Sequence, residues 1–263
     1  MGTVMRGLRL VGMGGVLSFR ALFNRTSPPM FVGSLMSAPV FQMLFFVYLG
    51  RHTGVADDEF YVIGNVLLAT TGAGVIGGTM AIADEREYAT LAPVLLSPRS
   101  RLLIWGGRAF PYIATAVFSM VFTFGMGTLL VGPLIPVSGI PALLLTLVVA
   151  ATSATALGMV VGSIGLRVTN NVFVANVAYT LLILLTGTNV PRDILPSALQ
   201  NVGEYIPLTH ATEAARTIVD GEFNFGPLTL ELVVALCYGA AAMGLLRYFE
   251  HAARKRAAFD TQA

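Results

Sequence analysis

Six long runs of apolar residues divide this chain, at approximately 31–50, 60–83, 110–131, 140–165, 172–190 and 228–248, and the charged residues gather between them. About 20 mostly apolar residues suffice for an α-helix to cross the hydrocarbon core of a bilayer, and each run reaches or approaches that length. Because lipid offers no partner for a free N–H or C=O, a backbone at that depth must satisfy itself, and a helix does so within one segment. The runs therefore predict an all-α integral membrane protein with six transmembrane helices, in which residues 1–263 form a single domain. Composition agrees: 55% of the residues are hydrophobic and 11% charged, against roughly 25% charged in a soluble domain.

Orientation follows from the basic residues, which short cytoplasmic loops retain. With the N-terminus inside, the inner segments hold Arg6, Arg9, Arg20 and Arg25, then Arg86, Arg99, Arg101 and Arg108, then Arg167, and finally Arg247, Arg254, Lys255 and Arg256. Only Arg51, Arg192 and Arg216 fall outside, the first of them beside the acidic run Asp57, Asp58 and Glu59. One span more or fewer would invert everything beyond it, so the pattern predicts six crossings with both termini cytoplasmic. Near the N-terminus no unbroken apolar stretch leads to a small-residue cleavage site, so no removable signal is expected. Instead Met5, Leu8, Val11, Gly15, Phe19 and Leu22 recur at steps of three or four, the pattern of an amphipathic helix over 4–25 lying along the membrane surface. The near-exclusive use of arginine over lysine points to a GC-rich bacterial genome.

The interior of the runs narrows the function. Their centres lack Asp, Glu, Lys, Arg and His, and Asn65 and Asn176 are the main strongly polar side chains there. Ion-coupled carriers place ionisable groups at that depth, so coupling to protons or sodium is disfavoured. An intramembrane protease would need a base within reach of its nucleophile, yet His52, His210 and His251 all lie in loops or at run ends. Cys237 is the single cysteine and sits in an apolar run, so disulfides, a thiol site and a Cys/His metal site are not expected. No phosphate-binding G-x-x-x-x-G-K-[S/T] loop is present. Small residues four apart, Gly74 with Gly78, Gly158 with Gly162 and Ala240 with Gly244, let helix backbones approach closely, either within the bundle or at a dimer seam.

Two connecting segments are informative. After the second run, residues 84–101 form a charged cytoplasmic link in which Asp84 and Glu87 have the spacing of a helix-starting cap and Leu91, Val94 and Leu95 give an apolar face suited to docking in a partner's groove. Between the fifth and sixth runs, residues 191–226 are long but not polar. Leu195, Leu199, Val202 and Ile206 recur at helical spacing, as do Ala211, Ala215, Ile218 and Val219, and Pro191, Pro196 and Pro207 punctuate the starts. Two short external re-entrant helices joined by a proline turn would form a lid over the outer mouth.

These segments carry a family resemblance. Arg86-Glu87-Tyr88-Ala89-Thr90-Leu91 followed by Leu95-Leu96-Ser97-Pro98, and Ile206-Pro207-Leu208-Thr209-His210 leading to Glu213 and Arg216, together with the surface helix and six runs, make the chain resemble the permease subunit of ABC-2 type (type V) exporters. The family pattern at the first stretch usually reads Arg-Glu-x-Gly-Thr-Leu-Glu-x-Leu-Leu-x-Ser-Pro. Ala89 replaces its glycine, and Ala92 its second acid, which removes any salt bridge at that position. The resemblance implies a transport subunit and no enzyme of its own, pairing with a second permease copy, identical or related, in the lipid of a bacterial cytoplasmic membrane. A separate ABC ATPase subunit would carry the ATP and magnesium, and this chain would bind no cofactor, metal or nucleic acid. It implies ATPase coupling through Asp84, Glu85, Arg86, Glu87, Thr90, Leu91 and Leu95, with Arg20 and Arg25 of the surface helix. It implies an external gate at Leu195, Leu199, Pro207, Leu208 and Thr209. An interior free of charge suits a hydrophobic or amphipathic cargo such as a drug, antibiotic, lipid or glycolipid. The alternative is a non-transporting membrane scaffold or immunity component with the same fold.

Overall fold

The computed structural model describes residues 28–87, 100–165 and 171–260, and every regular element among them is helical. In chain order these are α1 (Pro28–Thr53), α2 (Asp58–Leu68), a π-helical turn (Thr71–Ile76), α3 (Gly77–Glu87), α4 (Arg101–Leu130), α5 (Ile140–Gly165), α6 (Asn171–Leu185), α7 (Ser197–Gly203), α8 (Thr209–Val219) and α9 (Phe225–Asp260). Four stretches among the described residues are long and apolar enough to cross a membrane: Asp58–Ala83, Leu103–Leu130, Val137–Gly165 and Phe225–Phe249. The first run lies within the 26 residues of α1. The amphipathic helix expected over 4–25, with Arg20 and Arg25, lies outside the described residues, as do Thr90, Leu91 and Leu95.

Helix α5 occupies the middle of the bundle, packing against α9, α3, the π turn, α4, α8 and α6. Its small residues make this possible: Ala150, Ala151, Ala154, Gly158 and Gly162 sit along buried faces. By contrast, α9 buries one stripe, Leu228, Glu231, Ala235, Ala242 and Leu246, and turns Leu230, Leu232, Val233 and Leu236 outward. Helix α4 likewise exposes Phe110, Phe118, Phe122 and Leu129. Such an apolar periphery is the mark of a chain folded for lipid. Several buried hydroxyls bond the carbonyl one turn back, as Thr123 does with Ser119 (2.8 Å), Thr155 with Ala151 (2.7 Å) and Ser163 with Met159 (2.7 Å), so these cost the apolar interior little.

Several helix ends differ from the expected runs. The third helix starts at Arg101 instead of 110. Ser100 caps it, its Oγ accepting from the Leu103 N–H at 3.4 Å. Trp105 in this added stretch is fully buried, with Arg108 over its ring at 5.5 Å, so Arg101 and Arg108, which marked the segment as a loop, sit on a helix. The link expected over 84–101 is correspondingly shorter, since Asp84 to Glu87 close α3 and Arg101 opens α4. The fifth helix stops at Leu185 instead of 190, because Gly187 takes a left-handed φ of 76° and the chain turns through Thr186, Thr188 and Asn189. The sixth continues past 248 to Asp260. Between α1 and α2, Arg51 and Asp58 pair at 2.6 Å on an exposed turn, and the carboxylate holds the guanidinium above its ordinary pKa.

Candidate functional site

Two features stand out, one beside the π turn and one around the short helices α7 and α8. A π turn carries one residue more per hydrogen-bonded ring than an α turn, and such turns are frequent at functional sites. Here it interrupts a helix that is mostly buried, and Gly72 is its exposed member. A cleft of about 310 Å³ opens beside it, lined by Ala38, Pro39 and Gln42 of α1, Asn65, Leu68, Thr71, Gly72 and Ile76 around the turn, and Asn176 and Tyr179 of α6. The Tyr179 hydroxyl donates to Gln42 Oε1 at 2.8 Å, tying α6 to α1 across the cleft. Asn65 Nδ2 donates to Tyr61 O and to Asn189 Oδ1, both at 2.8 Å. Asn65 Oδ1 is buried with no hydrogen-bond partner among the described residues. The cleft is thus an apolar depression with a few convergent amide and hydroxyl groups, the usual make-up of a small-molecule site.

The second feature is built from the segment between α6 and α9. Pro191 and Pro196 precede a 3₁₀ turn (Arg192–Ile194) and α7, where a fixed φ and a missing N–H suit a helix start. Arg192 donates to Gln200 O at 3.1 Å and pairs with Glu204. Arg216 of α8 donates to Gly187 O at 2.8 Å, and its guanidinium lies over the Phe60 ring at 3.8 Å. Burial pushes this guanidinium down to about 10, which leaves it charged at neutral pH. A pocket of about 380 Å³ beside it is lined by Phe60, Thr186, Arg192, Asp193, Thr209, Glu213, Thr217 and Asp220 among others.

Between α7 and α8 the chain turns at Pro207 and Leu208. Leu208 takes φ 77°, the one left-handed non-glycine residue among those described. That conformation is strained for a residue with a Cβ, and it delivers the N-terminus of α8 to a carboxylate: Glu231 of α9 accepts from the Leu208 N–H at 2.8 Å, from the Ala211 N–H at 3.2 Å and from the Ser153 hydroxyl of α5. Glu231 is fully buried.

The five residues expected at a gate therefore separate. Pro207, Leu208 and Thr209 are buried at the α7–α8 turn, with Thr209 Oγ1 donating to Gly203 O at 2.7 Å, whereas Leu195 is half-buried and Leu199 lies on the exposed side. The four glycines come together: a Cβ on Gly158 would stand 2.3 Å from Val75 O and 2.9 Å from Gly74 O, on Gly78 2.6 Å from Thr155 O, and on Gly162 2.6 Å from Thr79 O. They form a seam of backbone contact between α5 and the π turn with α3, and Thr79 Oγ1 adds a 3.1 Å bond across it to Gly158 O. Asp84, Glu85, Arg86 and Glu87 form the last turn of α3. The sequence reading passed over Glu231, because attention to run centres misses an acid in the first turns of the sixth run. Its signal was there, a lone carboxylate in an otherwise uncharged stretch.

The family model described as "ABC-2 family transporter protein" matches residues 54–246, from the α1–α2 turn to near the middle of α9. The chain belongs to the ABC-2 transporter family. Both features above lie largely within the ABC-2 match. Relatives of this ABC-2 protein include proteins named "Probable multidrug ABC transporter permease YbhR" from Escherichia coli strain K12 and from Escherichia coli O157:H7, each 27% identical over 198 residues that cover 73% of this chain and 53% of the relative. The chain thus spans about half the length of these curated relatives. The ABC-2 match takes in all four described stretches that are long and apolar enough to cross a membrane, save the last few residues of the fourth.

Proposed function

We propose that this chain is the permease subunit of an ATP-binding cassette exporter that moves a hydrophobic or amphipathic compound (a drug, antibiotic, lipid or glycolipid) outward across a bacterial cytoplasmic membrane. The observation that carries the reading is the cleft at the π turn. Its walls are mostly apolar, it offers Gln42, Asn65, Asn176 and Tyr179 as uncharged polar contacts, and no carboxylate or basic side chain lines it. Such a surface favours a cargo with a large apolar body and a few hydrogen-bonding groups, because a strongly charged one would lose hydration without a partner. The naming of the relatives as probable multidrug permeases agrees with this class of cargo.

In this reading the helices make six crossings with both ends cytoplasmic, and α7 and α8 are re-entrant elements on the outer side that gate the exit. Two permease copies face each other and two ATPase subunits bind ATP and magnesium below them. This chain binds no cofactor. The end of α3 and the link that follows, with Glu85, Glu87, Thr90, Leu91 and Leu95, receive the motion of the ATPase, and Arg20 and Arg25 of the surface helix assist.

Co-expression with a candidate ATPase tests the assignment. The two proteins co-purify, and Glu85→Ala, Glu87→Ala and Leu91→Ala lower recovery of the complex and ATP-dependent transport. If none of the three changes either quantity, the docking surface is elsewhere. In nanodiscs a panel of lipids and hydrophobic antibiotics stimulates ATP hydrolysis. Tyr179→Phe, which removes the bond to Gln42 at a stability cost of about 1 kcal/mol, changes the half-maximal concentration for stimulation while leaving the complex intact. An unchanged concentration for every active compound would remove the cleft from the transport path.

A further inference from the structure

The carboxylate of Glu231 joins three helices at one point. One oxygen accepts from the backbone N–H of Leu208 and from the hydroxyl of Ser153, and the other accepts from the N–H of Ala211. The first N–H groups of a helix have no intrahelical partner and carry its positive end, and α8 has no side-chain cap of its own, since its cap position is the left-handed Leu208. The cap comes instead from another helix, 23 residues along the chain. A carboxylate in a fully buried position is costly in a membrane protein and marks function more often than packing. Apolar contact alone already buries Ala211, Ala214, Ala215 and Ile218 of α8, so packing did not require an acid here.

What the acid adds is a directional attachment. Helix α9 is 36 residues long, about 54 Å at the rise of an α-helix. It runs from Glu231 near one end to Arg254, Lys255 and Arg256 near the other. Helix α5, which supplies Ser153, meets α3 along the glycine seam, and α3 ends in Asp84 to Glu87. We propose that Glu231 is a positioning residue for transport, clamping the start of α8 to α5 and α9 so that the gate formed by α7 and α8 moves with the long helices instead of independently of them. The inference rests on the permease reading above. It assigns the coupling of the gate to one acceptor group, and it requires the carboxylate: glutamine is the same size but presents an NH₂ group to one of the backbone donors.

The test uses the full permease with its ATPase partner in nanodiscs. Glu231→Gln is expected to assemble and to hydrolyse ATP within about twofold of the parent, while transport per ATP falls about tenfold, as expected when a buried backbone donor is left unpaired. In a Cys237→Ala background carrying Ala215→Cys, a membrane-impermeant maleimide labels α8 at a rate that depends on ATP when Glu231 is present. With Glu231→Gln the labelling is faster and independent of ATP. Should Glu231→Gln fail to assemble, Ser153→Ala, which leaves both backbone bonds, is expected to lower the same ratio about twofold to threefold. Native transport per ATP together with native, ATP-dependent labelling in the variant that assembles overturns the proposal. A parent complex showing no ATP-dependent transport would instead overturn the permease reading.

Discussion

Gly158→Ala is expected to destabilise the protein by about 3 kcal/mol, although the same exchange in an unpacked helix stabilises by about 1 kcal/mol. The opposing terms can be weighed directly. Alanine lowers the conformational entropy lost on forming the helix, a gain that would apply anywhere in α5. Against it, the added Cβ would stand 2.3 Å from Val75 O and 2.9 Å from Gly74 O. Both obstacles are backbone atoms of the neighbouring helix, which cannot rotate away, so α5 and α3 must separate and lose contact along the whole seam. Gly244→Ala supplies the contrast, because a Cβ there meets nothing within 4 Å, and it is expected to be neutral or to stabilise by up to about 1 kcal/mol. Thermal unfolding in detergent, read on both variants, checks the pair. Equal shifts would mean that the seam is not the tight contact described.

Arg216→Ala is the second large effect, with an expected loss of about 3 kcal/mol from the packing of α8 on α2. The guanidinium gives up its face-on contact with Phe60 at 3.8 Å and its 2.8 Å bond to Gly187 O, and that carbonyl is left at a sharp left-handed turn. Arg216→Lys keeps the charge but not the planar contact, and is expected to recover less than half of the loss. The pH dependence has a defined sign. Burial lowers this group from the ordinary arginine range to about 10, so between the folded and unfolded values the unfolded chain binds more protons and the group's contribution to stability rises with pH. Between pH 6 and 8 it is charged in both states and contributes no slope. A stability step near neutrality that disappears in Arg216→Ala would contradict this assignment.

The sequence disclosed the long apolar helices well and the joints between them poorly. Residues 140–165 were bounded as the helix is, since a proline and glycine segment precedes them and a charge follows. The start of α4 was not legible, because an arginine-bearing helical turn, with Arg108 set over the buried Trp105, reads like a polar loop. The π turn left no pattern of its own: Thr71 to Ile76 is as apolar and glycine-rich as the helix around it. Glycine spacing in the second and fourth runs was visible, but which helix each pair would meet was not. The Glu231 clamp was hidden for a related reason, as its partners lie 20, 23 and 78 residues away in the chain, beyond any local periodicity.

The central place of α5 also bears on how the protein is made. Synthesis proceeds from the N-terminus, so the π turn, α3 and α4 are made before α5, the helix against which all three pack. Until then Gly74, Gly78 and the carbonyls of the π turn lack their partner, and α8 and α9, which also pack on α5, arrive later still. Insertion and assembly are thus separated in time, as in two-stage folding of membrane helices, and the bundle closes from its middle outward only after α5 has been delivered.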